Sequence, residues 1–250
     1  MISNGNSPPL SGRIAWVTGG ASGIGAAVCG ALMAAGAEVG ILDLPGTSAP
    51  DSAHIAYCDL SDEATVHRAT QELTSRLGQP DIVINNAGIS LVGSVPSLSS
   101  ADWDKVLRVN LYGAFFVTKR ALPGMLERKW GRVVSVSSGT AIRVQAGRAA
   151  YAASKAGLIA FTKVVAAEGA PHGVTANVVA PGITDTPMTR QAIGSRSQLE
   201  AIARDSPIAN PMGTVLTPED IAQAILFFVS PGSGHTTGQV LHVSAGSVMG

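Results

Sequence analysis

A tyrosine and a lysine four residues apart are the side chains of this sequence that point most directly to chemistry. Tyr151 and Lys155 lie in a segment that predicts a helix, so they share one face of it. A tyrosine with the usual pKa of about 10 is a poor base at neutral pH, and a nearby ammonium group favours the phenolate. The pair predicts a general acid and base that interconverts an alcohol and a ketone.

The alternative is a surface tyrosine beside an incidental lysine, which is the more frequent meaning of this spacing in isolation. Here the residues around the pair are small and apolar. A lysine buried among them without a partner would be costly. The surroundings therefore favour the catalytic interpretation.

A glycine-rich turn near the N-terminus predicts a phosphate-binding site. Residues 18–25 read Thr-Gly-Gly-Ala-Ser-Gly-Ile-Gly, between a short apolar run and an alanine-rich helical segment. Glycine allows positive φ angles and a close approach of phosphate, and the first turn of a helix offers unpaired N–H groups to an anion. A tight turn that binds nothing is the alternative, but the flanking strand and helix favour a dinucleotide.

The choice between the two nicotinamide dinucleotides depends on Asp43. This residue ends the second predicted strand, where a carboxylate can hydrogen-bond a ribose 2′-hydroxyl. The same carboxylate would repel the 2′-phosphate of NADP, and no Arg or Lys follows it or lies within the turn. We therefore expect NAD rather than NADP as the cofactor.

The elements that must position these residues alternate between strands and helices. Strands are predicted at residues 14–17, 38–42, 54–57, 82–84, 132–136, 174–179 and 239–243, and helices at 24–35, 62–77, 99–122, 148–168 and 218–229. This order predicts an α/β fold, a single-domain Rossmann-type doubly wound parallel sheet with helices on both faces. Residues 44–53 hold two prolines and no helical period, so we expect a loop where such a fold normally has a helix.

The composition excludes several other classes of protein. The 250 residues carry 17 basic and 17 acidic side chains, and this balance provides no broad field for nucleic acid. With 46% hydrophobic residues the chain can bury a core, so disorder is excluded. Cys29 and Cys58 lie in apolar stretches and predict inert thiols in a cytoplasmic protein. The five histidines have no ligand-like spacing, and we expect no metal site.

The sequence predicts one domain at residues 12–250 after a flexible tail at residues 1–11, which has no basic region of a signal peptide. Residues 14–37 carry no charge and could span a bilayer, but the glycine-rich turn interrupts them, so no membrane span is expected. A polar segment with several prolines, at about residues 187–213, predicts a mobile lid over the substrate.

Further motifs make the chain resemble the short-chain dehydrogenase/reductase family from residue 12 to about residue 246. Besides the turn and the Tyr151–Lys155 pair, the matching residues are Asp59-Leu60, Asn85-Asn86-Ala87-Gly88, Asn110, Ser138, and Pro181-Gly182 followed by Thr186. The resemblance implies a cofactor site made of Gly19, Ser22, Gly23, Ile24, Gly25, Asp43, Leu44, Asp59, Leu60, Asn86, Ala87, Gly88, Tyr151, Lys155, Pro181, Gly182, Thr184 and Thr186. Thr184 stands where the family usually has Val or Ile, which a backbone contact would tolerate.

The resemblance also implies catalytic roles. Tyr151 would exchange a proton with the substrate oxygen while hydride moves to or from the nicotinamide. Lys155 would bind the nicotinamide ribose and lower the pKa of Tyr151, and Ser138 would hold the substrate oxygen. Asn110 would hold a water that links Lys155 to solvent. Simpler roles stay open, since Asn110 could satisfy backbone groups in a helix kink and Asp59 could be a turn residue.

The substrate site is expected at residues 90–94, at residues 140–145 and in the lid. Its expected contacts are Ser138, Thr140, Arg143, Gln145 and Met188. Arg143 or Gln145 is hypothesised to contact a polar or anionic part of a small-molecule substrate. An exposed loop arginine without such a role is an equal alternative.

The sequence as a whole predicts an NAD-dependent oxidoreductase that interconverts a secondary alcohol and a ketone. One alternative is an NADPH-dependent 3-oxoacyl-thioester reductase, against which Asp43 argues. Another is a non-catalytic dinucleotide sensor, against which the intact catalytic residues argue.

Only 14% of the residues are charged, and the family resemblance implies that small-residue surfaces meet in a homotetramer. These surfaces are residues 231–250 and the helix face with Ala149, Ala150, Ala152, Ala153, Ala156 and Ala160.

Overall fold

The computed structural model describes residues 8–48, 52–206 and 208–249. Most of the predicted tail and the middle of the predicted loop at 44–53 lie outside these ranges. Residues 8–11, however, are part of the domain, because Leu10 is 1% exposed and its N–H donates to the Ala35 carbonyl at 2.8 Å. The predicted tail was therefore too long at its C-terminal side.

In the described ranges, seven parallel strands form one sheet in the order β3-β2-β1-β4-β5-β6-β7. The strands are β1 (Ile14–Thr18), β2 (Glu38–Asp43), β3 (His54–Tyr57), β4 (Ile82–Asn85), β5 (Gly131–Val136), β6 (Val174–Pro181) and β7 (Val240–Val243). Every residue of β4, β5 and β6 is buried, as is typical of strands covered on both faces. The predicted doubly wound sheet is confirmed.

Helices cover both faces of this sheet. They are α1 (Gly23–Ala34), α2 (Glu63–Leu77), α3 (Ser100–Leu107), α4 (Gly113–Arg128), α5 (Ala149–Gly169), α6 (Pro187–Ile193), α7 (Arg196–Asp205) and α8 (Pro218–Val229). The apolar faces of α1 and α8 build the core on one side, and those of α2, α4 and α5 build the core on the other. Cys29 belongs to the first core and Cys58 to the second, both buried as predicted.

The order of the strands places a crevice at the carboxyl end of β1. This strand pairs with β2 on one side and with β4 on the other, so the chain winds away from it in two directions. The loops after β1 and β4 therefore diverge and leave a gap between them. Ligands of open α/β sheets bind at such a reversal of strand order.

The predicted helix over residues 99–122 differs from the observed structure in two ways. It is interrupted by a π-helical turn at Arg108–Tyr112, and α4 continues through Pro123 to Arg128. Proline usually ends a helix because it removes a hydrogen bond and crowds the preceding turn. Here Ala121 and Met125 are fully buried on either side of Pro123, so tertiary packing outweighs that local cost.

Two predicted connections have different outcomes. Between β2 and β3, residues 44–48 and 52–53 contain no helix, as predicted. The predicted lid contains two separate helices, α6 and α7, and α7 begins with a capping box in which Ser195 and Gln198 exchange hydrogen bonds. Two capped helices therefore give this segment regular structure between its prolines.

Candidate active site

Two cavities meet at the carboxyl end of the sheet. The first, of about 600 Å³, extends from the glycine-rich turn past the ends of β2 and β4 to Tyr151 and Lys155. The second, of about 720 Å³, lies on the other side of Tyr151 beneath α6. Ser138 and Tyr151 line both cavities. A ligand in one cavity therefore meets a ligand in the other at these two hydroxyl groups.

Hydrogen bonds fix the glycine-rich turn to the segment after β4. The Thr18 hydroxyl accepts hydrogen bonds from the N–H groups of Asn86 and Ala87, both at 3.0 Å. In return the Asn86 amide donates to the Thr18 carbonyl at 2.9 Å. Gly19 has a φ of 64°, and a Cβ there would lie 3.1 Å from the Ala87 Cα. A side chain at this position would close the cradle that glycine leaves open.

The predicted cofactor residues lie together around the first cavity, with one exception. All of them line it except Gly25, which is buried behind the turn. A Cβ on Gly25 would collide with the Gly19 carbonyl oxygen and lie 2.7 Å from the Asn86 amide nitrogen. Gly25 thus shapes the turn by close packing rather than by touching a ligand.

The Asp43 carboxylate lies beside the glycine-rich turn, at the end of β2. It accepts hydrogen bonds from Ala21 N–H at 3.0 Å and from Leu44 N–H at 2.8 Å. Asp59 lies nearby, and no arginine is among the described lining residues of this cavity. The glycine cradle at a helix N-terminus and the adjoining carboxylate at the end of β2 fit a nicotinamide dinucleotide.

Tyr151 lies on the first turn of α5 and lines both cavities together with Ser138. Burial raises the pKa of Tyr151, while the Ser138 side chain and the charge of Arg148 lower it. The neighbouring Ser137 has a different role, because its hydroxyl is buried and donates to the Lys155 carbonyl at 2.9 Å. Of the two serines, Ser138 lines both cavities, whereas Ser137 lines only the first.

Lys155 is 3% exposed, and its ammonium donates to the Val136 carbonyl at 2.8 Å. Burial lowers the pKa of Lys155 to about 8. Its Nζ lies 5.9 Å from the centre of the Tyr151 ring. The lowering of the Tyr151 pKa by Lys155 stays a prediction, and the charge of Arg148 lowers that pKa in addition.

Asn110 lies in the π-helical turn and is 1% exposed. Its side chain is hydrogen-bonded to both backbone groups of Ile89 and donates to the Ser154 hydroxyl at 3.0 Å. A Cβ on Gly88 would be 3.2 Å from both the Asn110 Oδ1 and the Lys155 Nζ. Asn110 and Lys155 thus flank the same small space beside Gly88.

All five predicted substrate contacts line the second cavity. The Arg143 guanidinium donates to the carbonyls of Ala209 at 3.3 Å and Ser247 at 3.4 Å, so it also ties its loop to the lid segment. This cavity is also lined by Lys105, Arg148 and Ser247, which were not among the predicted contacts. For Arg148 a signal was present, because it lies one helical turn before Tyr151.

The predicted lid is attached to the loop after β6 by a cluster of charges. The Asp185 carboxylate is hydrogen-bonded to two N–H groups of Arg190, at 2.6 and 2.9 Å, and to Arg196 at 3.2 Å. Arg190 belongs to α6 and Arg196 to α7. Both arginines keep the pKa of Asp185 below its usual range, chiefly through the Arg190 hydrogen bond.

Known proteins resemble this chain over almost its whole length. The family model described as enoyl-(acyl carrier protein) reductase matches residues 19–247. The 3-oxoacyl-(acyl-carrier-protein) reductase FabG of Aquifex aeolicus is 36% identical, and the match covers 95% of this chain and 98% of that protein. The chain belongs to the short-chain dehydrogenase/reductase family. It is therefore an oxidoreductase of this family.

Other relatives and a solved structure show the same family relationship. An acetoacetyl-CoA reductase of Synechocystis is 40% identical over 94% of this chain and 96% of its own length. A D-beta-hydroxybutyrate dehydrogenase of Cupriavidus necator is 33% identical over 96% and 99%. A structure assigned as a gluconate dehydrogenase of Agrobacterium tumefaciens has a TM-score of 0.86 at 29% identity, covering 98% of this chain and 100% of that one.

Among the described residues, no helix combines the length and the apolar character needed to cross a membrane. Within the same ranges, no group of three or more His, Cys, Asp or Glu side chains is placed to hold a metal ion.

Proposed function

We propose that this family member is an NAD-dependent oxidoreductase that interconverts a secondary alcohol and a ketone. The observation that carries the proposal is that Ser138 and Tyr151 lie together where the two cavities meet. A phenol at this position can exchange a proton with an oxygen in the second cavity. The first cavity offers the cradle for a dinucleotide, which supplies or accepts hydride when bound.

Each side chain of this site has a separate role toward the transferred proton or the substrate oxygen. In reduction, Tyr151 donates its proton to the carbonyl oxygen while the Ser138 hydroxyl hydrogen-bonds that oxygen. In oxidation, Tyr151 accepts the proton of the alcohol, which the Arg148 charge assists by favouring the phenolate. Lys155, with a pKa of about 8, is suited to pass a proton between this site and a water held near Asn110.

The preference for NAD rests on Asp43. Its carboxylate already accepts two backbone hydrogen bonds and lines the end of the first cavity. A 2′-phosphate placed there would meet this negative charge without an arginine among the described lining residues to balance it. We therefore expect NADH to bind more tightly than NADPH.

A second candidate is a 3-oxoacyl-thioester reductase that uses NADPH. The names of two relatives favour it, since one is a 3-oxoacyl-(acyl-carrier-protein) reductase and the other an acetoacetyl-CoA reductase. The two candidates share the same Tyr151 chemistry and differ in cofactor and in the group attached to the ketone. Asp43 favours the first candidate, and the experiment below separates them.

We also propose that the chain works as a homotetramer in the cytoplasm. Ala153, Ala156 and Ala160 are exposed along α5, next to Val164 with 55% of its surface exposed. Ala150 must be removed from the predicted contact face, because it is 1% exposed within its own chain. Sedimentation of the purified protein at micromolar concentration should show the tetramer, and a monomer would contradict it.

The test combines cofactor binding with turnover. Fluorescence titration should show tighter binding of NADH than of NADPH, and Asp43→Ala should reduce that difference. A panel of ketones, including a 3-oxoacyl-CoA, should show turnover that Tyr151→Phe abolishes while NADH binding remains. Full turnover by Tyr151→Phe would contradict the mechanism. Tighter NADPH binding together with turnover of only the thioester would establish the second candidate.

A further inference from the structure

The second cavity has a one-sided charge. Its described lining residues include three cationic side chains, Lys105, Arg143 and Arg148, and no carboxylate. The whole chain, in contrast, has equal numbers of acidic and basic residues. A concave site lined by one sign of charge attracts ligands of the opposite sign. The asymmetry is therefore a property of this cavity and not of the protein as a whole.

Of the three cations that line the second cavity, Arg148 is the one whose charge acts on Tyr151. It occupies the N-cap position of α5, one helical turn before Tyr151. Residues three apart on a helix have neighbouring side chains. A group held by the Arg148 guanidinium would therefore lie only a few bonds from the carbon that reacts at Tyr151.

The guanidinium is fixed in place without being neutralised. Its Nη1 donates to the Ser90 hydroxyl at 2.6 Å, which leaves further N–H groups of the fork for a ligand. No carboxylate of the described residues lies within ion-pairing distance of it. The loop with Ser90 is in turn tied to α5, because Gly93 N–H donates to the Gly147 carbonyl at 3.0 Å.

We propose that Arg148 binds a carboxylate of the substrate and so makes this enzyme specific for short oxo acids and hydroxy acids. The planar guanidinium matches a carboxylate with two parallel hydrogen bonds. A half-buried cation with only a neutral protein partner gains a counter-ion when such a substrate binds. The inference rests on the proposed function and adds the substrate class and the residue that selects it.

The experiment compares acids with their neutral amides. Pyruvate, acetoacetate and 4-oxopentanoate are each reduced beside the amide of the same acid, with wild type, Arg148→Gln and Arg148→Lys. Arg76→Gln is the matched control, because Arg76 lies on the exposed side of α2 and pairs with Glu72. Tyr151→Phe is run on the same panel to test the proposed function separately.

We expect wild type to prefer at least one acid over its amide in kcat/KM. Arg148→Gln should raise KM for that acid by about 10- to 100-fold, as expected for losing a charge-assisted hydrogen bond. KM for the amide should rise much less than KM for the acid, whereas kcat should fall alike for acid and amide because the charge of Arg148 also acts on Tyr151. Arg148→Lys should restore part of the acid preference, and Arg76→Gln should behave as wild type.

Three results would overturn the inference. The first is an acid preference that survives in Arg148→Gln. The second is an equal rise in KM for acid and amide, which would mark a purely structural role. The third is the absence of turnover with every acid. None of them decides the proposed function. That function fails only if Tyr151→Phe retains the turnover of whichever ketones wild type reduces.

Discussion

The side-chain amide of Asn110 is hydrogen-bonded to both backbone groups of Ile89. Its Oδ1 accepts from Ile89 N–H at 2.8 Å, and its Nδ2 donates to the Ile89 carbonyl at 3.0 Å. The π-helical turn at Arg108–Tyr112 contains Asn110, and Ile89 lines both cavities. One side chain therefore joins an interrupted helix to the segment that separates the two ligand sites.

Replacing Asn110 by alanine should destabilise the chain and distort this segment. Both backbone groups of Ile89 would lose their partner, which costs about 1–3 kcal/mol for each buried group left unsatisfied. Urea unfolding measures the loss. Ser154→Ala is the control, because it removes one neutral partner of Asn110 and leaves both bonds to Ile89. Equal losses in the two variants would contradict the role given to the Ile89 contact.

Two glycines of α1 should respond in opposite ways to alanine. At Gly25 a Cβ would meet backbone atoms of the turn, whereas at Gly30 nothing lies within 4 Å of a Cβ. Gly25→Ala should lower the free energy of unfolding by about 1–3 kcal/mol and weaken dinucleotide binding. Gly30→Ala should raise it by about 0.5–1 kcal/mol and leave binding unchanged. Urea unfolding and NADH titration test both, and a stable Gly25→Ala that binds NADH normally would refute the packing argument.

The burial of Lys155 should give the ligand-free protein a characteristic dependence on pH. Burial lowers the pKa of Lys155 from 10.5 to about 8, so between these values the unfolded chain binds a proton that the folded chain does not. Stability then rises with pH across this window, by up to about 3 kcal/mol. Below pH 8 the folded chain carries the full cost of the buried charge.

The variant Lys155→Met isolates this effect, since all other groups titrate alike in the two proteins. Urea unfolding at pH 7.5 and pH 10 should show wild type gaining stability relative to Lys155→Met at the higher pH. If the difference in unfolding free energy between the two proteins were the same at both pH values, Lys155 would have the same pKa in the folded and unfolded chains.

Asp185 should control the opening of the lid. Asp185→Asn removes the charge that holds Arg190 of α6 and Arg196 of α7. We expect faster cleavage of residues 187–206 by thermolysin at pH 7 and a higher KM for the substrate. Glu72→Gln is the control, because it breaks an exposed ion pair with Arg76 on α2. Unchanged cleavage in Asp185→Asn would show that the prolines and caps of the segment hold it without the charge cluster.

Features that depend on neighbours along the chain could be predicted from the sequence. The strands follow from apolar runs, and the glycine-rich turn, Asp43 and the Tyr151–Lys155 pair lie where their spacing indicates. Features that depend on contacts across space could not. The π-helical turn needs Ile89 to be opposite Asn110, and α4 continues past Pro123 only because Ala121 and Met125 pack into the core. Likewise, a substrate-binding role for Arg148 can be inferred only from its position in the lining of the second cavity.

The two cysteines occupy opposite layers of the sandwich of helices and sheet, one in each core. Burial, followed by the charge of Asp43, raises the pKa of both thiols to about 12, and thiol reagents attack the thiolate. Cys29 is fully buried and lines neither cavity, so it should react at neutral pH only when its layer separates from the sheet. Cys58 also lines the first cavity, so a dinucleotide bound there should slow its modification. The modification rate of Cys29 therefore reports the opening of its layer, and that of Cys58 reports the occupancy of the cofactor site, both without an added label.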